Sequence, residues 1–234
     1  METAQVTRQL LRTTPAQGLR ILILDYDLYG SVGGGQSVYQ RLIALRPQDT
    51  FYYLRRWEPE SAARPVNAVG IPYVTLYRLG DVARPRKGEH AAGPDDDSAA
   101  ERLAARMGTR AGRQNPNRLP RTTEYLSPIY VQCRNIAASV RQHLDRIDFD
   151  AVDAPDYNQL GLFIRPALQA EGIRAGSVVL ALHGTLSMAF RAGWPTGLND
   201  APFLAEMRAR EQLQYRAADA RYAISSSYAE QWQR

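Results

Sequence analysis

Three groups of residues in this chain have the types and spacing that chemistry requires. The first is Gly33-Gly34-Gly35-Gln36, which lies between an apolar run over residues 20–24 and the helical pattern that begins at Ser37. Glycines there let backbone come close to a ligand, and the free amides that open a helix favour a phosphate or another anion. Gln36 adds a side-chain donor and acceptor at the same place. The competing reading is that three glycines only make a flexible turn.

His183-Gly184-Thr185 is the second group, at the end of the apolar run over residues 177–182. Open α/β sheets place their sites at the carboxyl ends of parallel strands. Two roles are open to His183: contact with a substrate, or a core position whose ring is satisfied by a backbone carbonyl. His90 and His143 read as solvated. The third group is four carboxylates. Asp25 and Asp27 flank Tyr26 where the first strand passes into its loop, and Asp153 and Asp156 flank the end of a later strand. All four are placed to orient a substrate hydroxyl. Asp156 has a competing role, because Gln159 three residues on gives the spacing of a helix capping box.

Elements that position these groups alternate in the way a parallel sheet with crossover helices demands. Strands are expected at 20–27, 51–54, 71–77, 149–153, 177–183 and 222–225, with Pro72 near the start of the third. Val38, Leu42 and Leu45 mark one face of the first helix. Ile129, Cys133, Ile136, Val140, Leu144 and Ile147 mark a long amphipathic helix over 125–147. Further helices are expected at 158–170, 200–218 and from Ser227, where Glu230 completes another capping-box spacing. The fold class that follows is α/β: a doubly wound, mostly parallel sheet with helices on both faces, Rossmann-like, over residues 20–234. Residues 1–19 read as a loose tail without the apolar block of a signal peptide. Residues 80–123, rich in Arg, Gly, Pro and Asp, read as a mobile insertion with a helical patch at 99–107.

Composition excludes several classes. A hydrophobic content of 44% over 234 residues is ordinary for a globular core, so disorder of the whole chain is excluded. One cysteine rules out an intrachain disulfide framework and a cysteine-built zinc cluster. No stretch of about 18 or more apolar residues is available to cross a bilayer. The net charge of +5 comes almost wholly from arginine, with Lys87 the single lysine. Its densest run, 110–121, lacks the aromatic interleaving of a base-stacking surface, so no nucleic-acid partner is expected. A Gly-x-Ser-x-Gly elbow is also missing.

Four segments in order resemble a known family. Gly34-Gly35-Gln36-Ser37-Val38, the turn Val152-Asp153-Ala154-Pro155-Asp156-Tyr157-Asn158, the strand end Leu182-His183-Gly184, and Glu211 ahead of residues 218–227 are similar to the N-terminal, acceptor-side domain of GT-B glycosyltransferases of the family-four type. The resemblance implies transfer of a hexosyl group from a nucleotide-sugar to a carbohydrate or lipid-linked acceptor, usually with retention. It implies no permanently bound cofactor and no metal, with the nucleotide-sugar as co-substrate. It also implies a cytoplasmic enzyme, with room for peripheral contact at the inner membrane face. His183 is then the catalytic candidate facing the donor sugar. Gly33, Gly34, Gly35, Gln36, Gly184 and Thr185 are candidates for the substrate and donor phosphate, and Asp25, Asp27, Asp153 and Asp156 for the acceptor side. The family's second domain, which holds the donor nucleotide and carries two glutamates separated by seven residues, is not recognised here. On this reading the chain is half of an enzyme, to be completed in cis or in trans.

Two rivals remain. One is a non-catalytic Rossmann-like binding module. The other is an NADP-binding oxidoreductase, suggested by Asp49, Arg55 and Arg56 near the second strand and by Gly33-x-Gly35. Against it stand Val38 at the place of the third glycine and the long passage from strand to glycines.

Overall fold

A computed structural model describes residues 18–30, 33–77, 119–185, 187–188 and 201–233, and the structural statements below concern these. Six strands form one sheet: β1 (Arg20–Tyr26), β2 (Thr50–Arg55), β3 (Ala68–Pro72), β4 (Phe149–Pro155), β5 (Ala175–Leu182) and β6 (Ala220–Ala223). Every pairing is parallel, and the spatial order is β3-β2-β1-β4-β5-β6. Parallel neighbours need crossover connections. Helices α1 (Gly34–Leu45), α2 (Leu119–His143), α3 (Ile164–Ala170) and α4 (Ala201–Ala217) lie in those connections, and α5 (Ser226–Gln233) follows β6. The order reverses between β1 and β4, which opens a crevice outside their carboxyl ends.

The unbroken apolar run of β1 is what a strand covered on both faces needs, because successive side chains point to opposite sides. Leu22 and Leu24 join a core with Cys133, Ile136 and Val140 of α2 and Leu168 of α3. Ile23 points the other way, joining Phe51, Tyr53 and the α1 residues Tyr39 and Ile43. All three β1 residues are fully buried. At roughly 1.5–3 kcal/mol for each large apolar side chain withdrawn from water, either layer is worth several kcal/mol to the helices that cover it.

Several expected boundaries move, each for a physical reason. The stripe that α1 buries is Tyr39 and Ile43, whereas Leu45 is 71% exposed. The helix is turned so that the Tyr39 hydroxyl reaches Asp153. β3 occupies Ala68–Pro72 instead of 71–77, so Pro72 ends it. The amides beyond are claimed by α2: Val74 N–H donates to Ser139 Oγ at 2.9 Å, and those of Leu76 and Tyr77 donate to Asn135 Oδ1 at 2.5 and 2.6 Å. α2 begins at Leu119, inside the expected insertion, and ends at His143, so Leu144 and Ile147 lie beyond it. The expected helix 158–170 divides into a 3-10 turn (Leu160–Leu162) and α3. β6 begins at Ala220 instead of 222. Before α5 the cap is Ser225, whose Oγ accepts from Tyr228 N–H at 3.2 Å. Residues 78–118, with the patch at 99–107 and His90, and the tail at 1–17 lie outside the described residues. His143 is exposed, with Nδ1 2.9 Å from the Ser139 carbonyl oxygen.

Candidate functional site

At the crevice the first turn of α1 comes against the end of β5. A Cβ on Gly35 would sit 3.3 Å from His183 Nδ1 and 3.7 Å from both Asp25 Oδ2 and Tyr157 Oη. The missing side chain of Gly35 therefore makes room for the imidazole. This differs from the expectation that all three glycines clear space for a ligand. Gly34 is exposed with nothing within 4 Å of its Cβ position, and the Gln36 side chain folds back over Gly33. Gly33 at the cap position has no side chain to cap the first turn of α1, and no side-chain cap hydrogen bond is found there among the described residues. Its positive end of the helix dipole and its early amides stand beside the histidine.

Tyrosines and carboxylates wire this corner together. Tyr157 Oη donates to Asp25 Oδ2 at 2.9 Å, and the Tyr26 amide donates to Asp25 Oδ1 at 2.8 Å. Tyr39 packs on His183 with ring centroids 5.1 Å apart and donates from its hydroxyl to Asp153 Oδ1 at 2.8 Å. Tyr222 donates to Asp153 Oδ2 at 3.0 Å. Both ring nitrogens of His183 are buried without a hydrogen-bond partner among the described residues. The alternative role, a core histidine satisfied by a carbonyl, is not what is found. A buried nitrogen without a partner costs free energy, which sets this imidazole apart from a satisfied core histidine.

Burial sets the charges. It pushes His183 down from 6.5 to about 4, so the ring is neutral at pH 7. The same cause raises Asp153 to about 7, and the nearby Asp25 adds to the rise. Asp25 itself is raised by burial, against the bonds it accepts from the Tyr26 amide and the Tyr157 hydroxyl. The Tyr157 phenol is pushed far up, chiefly by burial, and stays a neutral donor. The corner thus offers a neutral imidazole and a neutral phenol beside two carboxyl groups, with helix amides alongside for an anion.

The other expected site residues have structural partners. Asp27, at φ 52°, accepts at Oδ1 from the amides of Arg56, Trp57 and Glu58 at 2.7, 3.0 and 2.9 Å. Its carboxylate is thus spent on the loop after β2 and not on the crevice. Asp153 is buried between two tyrosines, Tyr39 and Tyr222. Asp156 does not cap the following turn: Oδ1 accepts from the amides of His183 at 3.1 Å and Gly184 at 3.2 Å, and Oδ2 from Tyr228 Oη at 2.8 Å. It holds the backbone that presents the histidine. Gly184 takes φ 146°, a region that favours glycine. Thr185 is buried, its amide donating to Tyr228 Oη at 2.8 Å and its Oγ1 3.2 Å from Ser187 Oγ. Glu211 is buried too, accepting from the Ser187 amide at 2.9 Å and from its hydroxyl.

Sequence reasoning missed Tyr39, Tyr157, Tyr222 and Tyr228. Tyr157 had a signal, since it sits in the turn after β4 beside Asp156. Nothing along the chain pairs Tyr39 with Asp153, 114 positions away. Arg56 and Trp57 carry a further feature. The Arg56 guanidinium lies 4.9 Å from the ring centre of Tyr26, 5.5 Å from Trp57 and 5.6 Å from Tyr73.

All-parallel strands in the order 3-2-1-4-5-6, flanked by helices and with a crevice at the reversal, define a Rossmann-like α/β protein. No family model, no curated protein and no solved structure matches the chain. Among the described residues no cluster of three His, Cys, Asp or Glu side chains is arranged to hold a metal ion, and no helix is long and apolar enough to cross a membrane.

Proposed function

We propose that this chain is the acceptor-side domain of a GT-B glycosyltransferase, transferring a hexosyl group from a nucleotide-sugar to a carbohydrate or lipid-linked acceptor. A second Rossmann-like domain holds the nucleoside across the crevice, while the α1 amides and His183 of this chain meet the diphosphate and the sugar of the donor. The observation that carries the reading is the His183 imidazole: neutral, without a partner at either nitrogen, and seated between the uncapped start of α1 and the Asp25–Tyr157 pair. A neutral imidazole can bond a sugar hydroxyl as donor or acceptor. The α1 amides stand where the negative charge of a departing nucleoside diphosphate develops, and fixed dipoles there lower the barrier without a metal.

A second reading, NADP binding, has two observations in its favour: the strand order itself and Arg56 just beyond the carboxyl end of β2. Opposing it, residues 27–33 separate β1 from α1, a longer passage than the tight turn that a dinucleotide site wants. Melting curves with UDP-, GDP- and ADP-sugars and with NADPH decide between them. A ligand at a hundred times its dissociation constant adds about 2.7 kcal/mol. We expect one nucleotide-sugar to raise Tm, with His183→Ala abolishing the rise while the fold persists. A rise with NADPH and none with the sugars overturns the proposal. A response to free glycans alone leaves only a binding module.

A further inference from the structure

Arg56 and Trp57 form a second binding feature on the same carboxyl edge. Asp25 and Tyr26 are consecutive in β1 and turn to opposite faces. Asp25 faces Gly35, while Tyr26 accepts at its hydroxyl from Gln132 Nε2 of α2 at 2.6 Å. Over Tyr26 lies the Arg56 guanidinium, shared with the rings of Trp57 and Tyr73.

The arginines nearby show what is unusual. Arg55 is paired with Glu60 at 2.9 Å and Arg64 with Glu58 at 3.4 Å. Arg56 has no carboxylate partner among the described residues and is exposed. Trp57 beside it is 81% exposed, which leaves a large apolar face in water. Yet this loop is held firmly. Asp27 adopts a backbone conformation that side-chain-bearing residues rarely take, and its carboxylate fixes three consecutive amides of the loop. Rigid backbone that presents an unneutralised guanidinium and a bare indole is the arrangement of a ligand platform. Three rings around the guanidinium confine it, and with no carboxylate partner among the described residues it can take phosphate or carboxylate through two parallel bonds.

We propose that this platform binds the anionic group of a phosphate-bearing polyol, with the ring of that polyol against Trp57 at the carboxyl edge of the sheet. The inference rests on the sugar-transfer reading of the crevice for the polyol, and on Arg56 for the charge. In chemical terms the acceptor is a sugar phosphate, either free or as a lipid headgroup.

The test titrates the chain with glucose 6-phosphate and with glucose by calorimetry, and sediments it with phosphatidylcholine vesicles prepared with and without phosphatidylinositol. We expect glucose 6-phosphate, or the phosphatidylinositol vesicles, to bind on the order of tenfold tighter than the uncharged counterpart. The responding arm identifies the source. Arg56→Ala should remove that margin with Tm unchanged, Arg56→Lys should restore part of it, and Trp57→Ala should weaken both sugars. No margin in either arm, or a margin that survives Arg56→Ala, overturns the inference. So does a response confined to NADPH over NADH, which gives Arg56 to a ribose phosphate. The nucleotide-sugar rise in Tm is read separately: if it persists while the phosphate margin is absent, the transfer reading stands and this inference alone fails.

Discussion

Asp153 makes the stability of this protein depend on pH in an unusual direction. Its carboxyl is buried, with the hydroxyls of Tyr39 and Tyr222 as its hydrogen-bond partners among the described residues, and burial raises it from 3.8 to about 7. An acid whose folded value lies above its unfolded one is protonated in the native state and ionised in the unfolded state between the two values. Stability therefore falls as pH rises through that window, from about 4 to about 7, and is flat above it. At about 1.4 kcal/mol for each tenfold change in proton affinity, the accumulated cost above pH 7 is about 4 kcal/mol. Asp153→Asn has the shape of the protonated acid but cannot ionise. Urea unfolding from pH 4 to pH 9 should give the variant and the wild type similar stability at pH 4. The wild type should fall behind by several kcal/mol at pH 9. Asp25, Asp156 and Glu211 are raised by burial too, so both curves slope, and the difference between them isolates Asp153. A difference that stays constant across the range, or a variant less stable at pH 9, refutes the reasoning.

Two more perturbations separate structural from open positions. Gly35→Val should cost roughly 1–3 kcal/mol through overpacking against His183, while Gly34→Ala, with open space at its Cβ, should stay within about 1 kcal/mol of wild type; denaturant midpoints check both. Asp27→Ala strips the acceptor from three amides and should destabilise by about 2–4 kcal/mol, with Asp27→Asn keeping one oxygen and losing less; a matching loss of proteolytic protection in the loop at 56–58 is the second readout.

Much of the fold is legible where local pattern and tertiary role coincide. Leu22, Ile23 and Leu24 leave no polar face, so β1 had to be covered on both sides, and the Ile129–Val140 spacing could only be a helix stripe. Legibility fails where a distant side chain decides. Residues 73–77 look like strand from their aromatic and branched content, but Asn135 and Ser139 bind their amides and hold them to α2. Asp156 has capping-box spacing, yet the amides it meets belong to a strand end 27 positions away. Positions of Gly35 and His183 followed from the strand-to-helix and strand-end signals, whereas their mutual contact, and the tyrosines around them, depend on how α1 is rotated against the sheet.

The strand pair that frames the crevice is also the one farthest apart along the chain. Ile21 of β1 lies opposite Ala151 of β4, about 130 residues later. While the polypeptide is being made, β1, β2 and β3 can align early, but the open flank of β1 must wait for its partner. At ribosomal speeds of roughly 5–20 residues per second that wait is on the order of ten seconds. A bare edge of such apolar strands is a template for pairing with other nascent chains. The architecture that builds the cleft thus leaves that flank of β1 unpaired on every molecule synthesised between the emergence of β3 and of β4.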